Sequence, residues 1–182
     1  GDYRIIGNST PRFKYGITLD AAWKGFDFSI FMQGIGKRDL WLDGCYFWGA
    51  NGQGNEWQST GFTEHWDFFR PEGDPLGANL NSYYPRVNFS GGRNTKIQTR
   101  YLQNGAYLRL KNVQLGYTLP RVWTEKAGIS SVRVYVSGDN LATITSLSML
   151  FDPEATGSLA GTGSGKLYPL QRVISVGVNV NF

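Results

Sequence analysis

The chain contains one histidine, His65, within the stretch EHWD that runs from Glu64 to Asp67. A histidine beside carboxylates could transfer protons or bind a metal ion, because its pKa lies near neutral pH. A catalytic zinc site needs further nitrogen or sulfur ligands, and the sequence holds no second histidine and a single cysteine, Cys45. No serine, histidine and aspartate have the spacing of a nucleophilic site. We therefore interpret His65 as a solvated loop residue and predict that the chain has no catalytic residues and is not an enzyme.

Two other sequence patterns could indicate ion-binding sites. The glycine-rich stretch GTGSGK, residues 161–166, resembles part of a phosphate-binding loop, but it lacks the full spacing and a flanking strand and helix. Seven carboxylates could supply oxygen ligands to calcium, although their spacing is not that of an EF-hand: Asp39, Asp43, Glu56, Glu64, Asp67, Glu72 and Asp74. We predict no metal and no cofactor, and we interpret residues 161–166 as a flexible loop tip.

Tryptophan residues are concentrated in one part of the chain. Four of the six, Trp41, Trp48, Trp57 and Trp66, lie in a single stretch together with Tyr46, Phe47, Phe62, Phe68, Phe69, Tyr83 and Tyr84. A disordered loop would be poor in aromatic residues, so this stretch is predicted to fold and to form a small core of its own. Tryptophan rings also dominate binding surfaces and stack on sugar rings. The four tryptophans are therefore candidates for contact with a substrate or a partner protein.

Segments of alternating apolar and polar residues surround this aromatic stretch. Residues 12–23 alternate, Lys24 and Gly25 give a turn signal, and residues 26–34 resume the alternation, which predicts a β-hairpin. The C-terminus alternates as well. One face of this last strand carries Tyr168, Leu170, Ile174, Val176, Val178, Val180 and Phe182.

Two further strands are predicted over residues 107–119 and 131–141. In the first of them the apolar residues shift from even to odd positions near Lys111 and Asn112. This shift indicates a bulge or a strand that leaves its apolar surroundings. The strand should end at Pro120, and a helical turn is expected over residues 123–127.

Composition and loop length indicate the surroundings of these strands. Aromatic residues make up 15% of the chain and charged residues 18%, with 24 glycines, which is typical of an all-β protein with many turns. No apolar run reaches the ~20 residues of a membrane-spanning helix. The net charge is +4, but the basic residues are scattered, so we predict no nucleic-acid partner.

The lengths of the connections indicate where the strands lie. Short connections at one end of the predicted sheet and long ones at the other are typical of outer-membrane barrels.

The predicted fold is therefore all-β: an antiparallel transmembrane β-barrel segment of about five C-terminal strands, in which residues 34–100 form a long extracellular loop. A closed barrel needs at least about 8 strands, so these strands would be part of a larger barrel. Two alternatives share the same alternation. One is a small oligomeric outer-membrane barrel, and the other is a soluble carbohydrate-binding β-sandwich with its apolar faces turned inward.

The last eight residues, SVGVNVNF, have a polar residue, a glycine, an apolar residue and a terminal aromatic residue at Ser175, Gly177, Val180 and Phe182. This pattern resembles the C-terminal assembly signal of bacterial outer-membrane barrels. A free strand edge with unpaired backbone groups is suited to capture by strand addition. We predict that these four residues are read during barrel insertion.

Five separated motifs add a more specific resemblance: GDYRIIGNSTPRFKYGI, YLQNGAYLRLKNVQLGYTLP, VRVYVSGDNLATIT, FDPEA and YPLQRVISVGVNVNF. In this order they resemble the C-terminal part of SusC/RagA-type TonB-dependent transporters of the Bacteroidetes. The resemblance implies that residues 1–182 are the C-terminal barrel segment of a longer transporter in the bacterial cell outer membrane. Such a protein imports glycan or peptide fragments.

The same resemblance implies a set of partners. The remainder of the barrel and a plug domain would complete the pore, and outer-membrane lipid would surround it. A SusD-like surface lipoprotein would form a lid over the extracellular side, where it could contact Trp41, Trp48, Trp57 and Trp66. TonB would engage an N-terminal part that this sequence does not contain.

Overall fold

The computed structural model describes residues 3–51, 61–88, 92–156 and 167–182. The chain divides into two compact units, each assembled from segments that are distant in sequence. The sheet unit comprises Pro11–Arg38, Gly105–Ser146 and Leu170–Phe182. The loop unit comprises Gly1–Thr10, Asp39–Asn104 and Leu147–Pro169.

Strands dominate the described residues. In chain order they are β1 Arg12–Trp23, β2 Phe26–Lys37, β3 Asp39–Leu40, β4 Gln103–Asn104, β5 Tyr107–Thr118, β6 Ser131–Thr145 and β7 Val173–Asn181. Two short helices, α1 Gly44–Trp48 and α2 Arg121–Thr124, accompany 3₁₀ turns at Thr63–Trp66, Thr99–Tyr101 and Glu125–Ala127. Within the described ranges, no helix has both the length and the apolar character needed to cross a membrane.

Five strands form one antiparallel sheet in the order β1-β2-β5-β6-β7, while β3 and β4 pair with each other in the loop unit. The predicted antiparallel all-β architecture is therefore confirmed. Strands β2 and β6 continue to Lys37 and Thr145, beyond the predicted ends at residues 34 and 141. Each strand of the sheet lies beside the next one along the chain, so the short connections fall at one end and the long ones at the other.

The two short connections have the predicted form. Lys24 and Gly25 both have positive φ, at 47° and 87°, as the tight turn of a two-residue hairpin requires. Between β5 and β6 the helical turn predicted over residues 123–127 is present as α2 and the 3₁₀ turn that follows it. Gly128 ends that turn with φ 70°, a left-handed conformation that glycine adopts at little cost.

The last strand is shorter than the alternation predicted. It begins at Val173, so Tyr168 and Leu170 precede it. Pro169 lies between these two residues and has no N–H to donate to a ladder. On the partner strand the pairing stops at Asp139, next to Asn140 with φ 51°, where β6 departs from regular strand geometry.

A bulge in β5 explains the change of parity in its sequence. Phe31 of β2 pairs with Asn112 and the next residue, Met32, pairs with Leu110, which leaves Lys111 as the extra residue. Leu110 and Val113 are three positions apart and would lie on opposite faces of a regular strand. The extra residue between them turns Leu110 to the same face as Val113. The predicted bulge is confirmed, and it keeps one face of the sheet apolar along the full length of β5.

The apolar face of the sheet is continuous across all five strands. One row of cross-strand neighbours runs Trp23, Phe26, Tyr117, Val134 and Val178, and the rings of Phe26 and Tyr117 lie 4.5 Å apart. Four of these side chains are exposed, Trp23 by 69% and Val178 by 58% among them, and Tyr117 is half-buried. An exposed apolar surface of this extent marks contact with a membrane or another protein.

On the polar face, large side chains lie over glycines of neighbouring strands. Arg133 of β6 reaches across Gly116 of β5 to Asp27 of β2, where its Nε donates to Oδ1 at 2.8 Å and its terminal nitrogen pairs with Oδ2. A Cβ at Gly116 would lie 2.5 Å from both partners. Phe31, which interrupts the polar pattern of β2, has its ring over Gly16, 3.3 Å from the position of a Cβ.

Candidate functional site

The loop unit has an aromatic core around Phe47 of α1, which is fully buried. Rings of Trp48, Tyr84 and Phe151 lie 5.0, 5.8 and 6.3 Å from the Phe47 ring in edge-on orientations. Aromatic pairs at these distances stabilise a core beyond the effect of buried area alone. The interpretation that the aromatic stretch folds into a core is therefore confirmed, and Leu147 and Phe151, from the segment before β7, complete this core.

The structure gives the candidate tryptophans different surroundings. Trp48 is 3% exposed within this core, and the partly buried Trp41 ring lies 6.0 Å from it. Trp66 is 61% exposed. Trp57 lies outside the described residues. Among the described tryptophans of this group, Trp66 presents the ring most accessible to a ligand, while Trp48 is mainly a core residue.

Trp48 and Trp66 line the same cavity, which has a volume of about 480 Å³. The residues of its wall come from three stretches of the loop unit: Trp48, Ala50, Asn51, Gly61, Phe62, Thr63, His65, Trp66, Phe68, Tyr84 and Val87. The pattern of the sequence did not reveal this cavity. The density of aromatic residues was its only signal, because the wall forms where stretches up to 39 residues apart meet.

The stretch EHWD connects parts of the loop unit. The Glu64 carboxylate accepts hydrogen bonds from the Ser148 hydroxyl at 2.6 Å and the Met149 N–H at 2.9 Å. The Asp67 carboxylate accepts from the Asn79 amide at 2.8 Å and the Tyr83 N–H at 3.0 Å. Both carboxylates therefore fix the fold of this unit.

His65 is half-buried, and the interpretation of it as a solvated loop residue is wrong. Its Nδ1 accepts a hydrogen bond from the Phe62 N–H at 3.0 Å, and its Nε2 lies 3.0 Å from the Phe47 carbonyl oxygen, to which it donates. Both ring nitrogens are thus used by the backbone. Gly49 with φ 59° provides the space, because a Cβ there would lie 2.9 Å from Nδ1.

Burial lowers the pKa of His65 below its ordinary value, against smaller opposing effects of the Phe47 carbonyl and Glu64. The neutral ring is the form that can accept from Phe62 and donate to Phe47 at once. His65 therefore acts as a structural connector between α1 and the 3₁₀ turn that carries it, and its nitrogens are not directed at a ligand.

We expect the local stability around His65 to fall on acidification. Below the unfolded pKa of about 6.5 the opened state takes up a proton that the closed state resists, so stability is lost as the pH falls. Because only one proton is taken up, the equilibrium constant for local opening rises by at most about tenfold for each pH unit. Hydrogen exchange of the Phe62 amide at pH 7.5 and pH 5 measures it, after correction for intrinsic exchange.

His65→Gln supplies the control for this measurement. Glutamine retains donor and acceptor groups but does not titrate, so the variant should lose the acid-induced increase in opening. An equal increase in both proteins would show that another group is responsible.

Among the residues that the structure describes, no three side chains of His, Cys, Asp or Glu come together as a metal site would require. Glu56 and the glycine-rich stretch 161–166 lie outside the described residues.

The four residues of the C-terminal pattern lie on the last strand or directly after it. Ser175, Gly177 and Val180 are in β7, opposite Ser137, Tyr135 and Val132, and Phe182 follows the strand and is 90% exposed. Their role in assembly stays a prediction. The sequence did not reveal that Gly177 packs against Tyr135. The Tyr135 ring lies over this glycine, and a Cβ at Gly177 would lie 2.5 Å from the Tyr135 hydroxyl oxygen.

Comparisons with known proteins identify relatives along the whole chain. No family model matches the sequence. TonB-dependent receptor P3 of Formosa agariphila is 32% identical over 100% of this chain, and TonB-dependent receptor P26 of the same organism is 28% identical over 100%. The chain spans 17% and 18% of the length of these two curated relatives.

Solved structures of the RagAB peptide importer have a similar fold. In its open-open and closed-closed states the TM-score is 0.74, with 27% and 28% sequence identity over 98% of this chain. The match covers 18% of the compared chain in each structure. The five-stranded sheet and the loop unit thus both have counterparts in a larger molecule.

Proposed function

Because the chain is a segment of a SusC/RagA-type TonB-dependent transporter, and its sheet is part of a larger transmembrane β-barrel, we propose that the whole protein imports nutrient fragments, peptides or glycans, across the bacterial outer membrane. The observation that carries this proposal is the agreement of sequence and fold with such proteins along almost the entire chain. These relatives are named as a receptor and an importer, and neither name states an enzymatic activity.

The sheet unit would form part of the barrel wall. Its apolar face, with Trp23 and Tyr117 near one end, would contact lipid, and the face with Asp27 and Arg133 would line the lumen beside a plug domain. Strands β1 and β7 are the outer strands of the sheet. Unpaired backbone groups in lipid cost several kcal/mol each, so the remainder of the barrel would pair with both edges.

The loop unit would lie on the extracellular side, with Asp39–Asn104 as its longest segment. There it would meet the substrate and a SusD-like lipoprotein that covers the pore. Trp66 is the best placed of the described tryptophans in the loop unit for such a contact, because its ring is largely exposed. Energy would come from TonB, which would engage a part of the protein outside this sequence.

Uptake in the source bacterium tests the proposed function. We expect deletion of the full-length gene to abolish accumulation of one class of labelled oligomer, either peptides or glycans. Reintroduction of the gene should restore it, and a protonophore should abolish it again, because transport that depends on TonB requires the inner-membrane proton gradient. Accumulation that is unchanged by deletion for both classes of oligomer would contradict the proposal.

A further inference from the structure

We propose that the aromatic cavity of the loop unit binds one large apolar side chain of a peptide substrate. This inference rests on the proposed import function and names the substrate class. The cavity wall is formed mainly by the rings of Trp48, Phe62, Trp66, Phe68 and Tyr84. Its volume of about 480 Å³ falls within the range of roughly 300–1,000 Å³ that ligand sites occupy.

The cavity has a closed floor and an open rim. Trp48 and Tyr84 are 3% and 5% exposed, whereas Trp66 and Val87 are 61% and 42% exposed. A side chain could therefore enter from solvent while the backbone that carries it stays hydrated. This arrangement suits one residue of a longer chain better than a free molecule that is buried whole.

The chemistry of the wall favours an apolar group. Its described residues include no Asp, Glu, Lys or Arg, and burial lowers the pKa of its one histidine, His65. The polar groups are largely engaged within the protein: the Asn51 amide donates to the Trp48 carbonyl at 3.3 Å and accepts from the Asn88 N–H at 3.1 Å. Both nitrogens of His65 are bonded to backbone groups.

A sugar ring would fit this wall poorly. Each buried hydroxyl without a partner costs about 1–3 kcal/mol, and a sugar carries several of them. A phosphate or a carboxylate would find no cation in the described wall. An aromatic or large aliphatic side chain has no such requirement, and it gains from contact with the surrounding rings.

The rim is held in place before any ligand binds. The Arg70 side chain donates to the Trp66 carbonyl at 3.0 Å and to the Gly77 carbonyl at 2.8 Å. Its guanidinium lies 5.6 Å from the Trp66 ring and 4.8 Å from the Phe68 ring. Rings that are already ordered lose less conformational entropy on binding, so these contacts favour affinity.

The full-length transporter in detergent tests this proposal with a defined probe. The tetrapeptide Gly-Gly-(4-fluorophenylalanine)-Gly reports binding through the width of its ¹⁹F signal. We expect Trp66→Ala to weaken its binding about tenfold, a loss of ~1.4 kcal/mol, and Thr63→Trp to abolish it by filling the cavity. Trp123→Ala, which removes a 67% exposed ring from the sheet unit, should leave binding unchanged. Thr63 is exposed, so its variant should fold even if Trp66→Ala does not.

Several outcomes would overturn the proposal. Equal binding of a peptide with alanine in place of the aromatic residue would show that the cavity does not hold the side chain, and tighter binding of a disaccharide would assign the site to a sugar. Peptide uptake by cells that carry Thr63→Trp, at the rate of the unmodified protein, would refute the site and leave the proposed import function intact.

Discussion

Deletion of Phe182 from the full-length protein is expected to lower its level in the outer membrane about tenfold. Phe182 follows β7 and continues the face that carries Val178 and Val180. Its ring is 90% exposed in this chain. Transfer of a phenylalanine side chain out of water stabilises by about 1.5–3 kcal/mol, and this contribution would be lost from the inserted barrel or from the complex with the insertion machinery.

The position of Phe182 explains why an aromatic residue is expected there. The end of β7 lies beside Ser131, where β6 begins, at the end of the sheet that also carries Trp23 and Tyr117. Aromatic residues at this level are typical of the membrane interface, where a ring contacts both lipid and headgroups.

Two variants separate the need for a ring from the need for the final residue. Phe182→Trp should retain the normal level, and Phe182→Ala should lower it as the deletion does. The level is measured in isolated outer membranes with an antibody against an extracellular loop. Normal assembly after the deletion would remove the support for both an assembly signal and an interfacial anchor at this position.

The second large effect is expected at Gly177. Valine is favoured in strands, yet Gly177→Val should lower the amount of folded barrel roughly tenfold, because the Tyr135 ring occupies the space of the new side chain. Excess volume in a packed site costs about 1–3 kcal/mol. Heat-modifiable migration in gel electrophoresis distinguishes the folded barrel from the unfolded one.

The sign of this effect should reverse when the ring is absent. In a Tyr135→Ala background, Gly177→Val should increase the folded fraction, since only the strand preference of valine remains. If the insertion machinery reads the glycine itself, the substitution would be harmful in both backgrounds. The pair of measurements thus decides whether Gly177 serves recognition or packing.

Local patterns in the sequence predicted the sheet well. The Lys24-Gly25 turn, the alternation and the bulge at Lys111 depend on residues close together in the chain, so their physical cause is visible in the sequence. Phe31 on the polar face was an exception that the sequence could not explain. Its reason is Gly16, a residue on the neighbouring strand.

The loop unit was predictable only as an aromatic-rich folded region. Phe47, which accepts from His65, and Ser148, which donates to Glu64, lie 18 and 84 residues away from them, and no periodicity encodes such separations. For the same reason the sequence could not separate the buried Trp48 from the exposed Trp66. Composition predicted that a core exists, and tertiary contacts decide which residues form it.

The ion pair between Asp27 and Arg133 joins strands that are not neighbours, because β5 lies between them. The pair passes over Gly116, where no Cβ fits. If β5 slipped by two residues, Gln114 or Thr118 would come beneath the pair, and its two side chains could not meet. A slip of one residue would turn the wrong face of β5 toward them. The contact can therefore form only when β2, β5 and β6 are correctly aligned, so it stabilises the native register of these three strands over its alternatives.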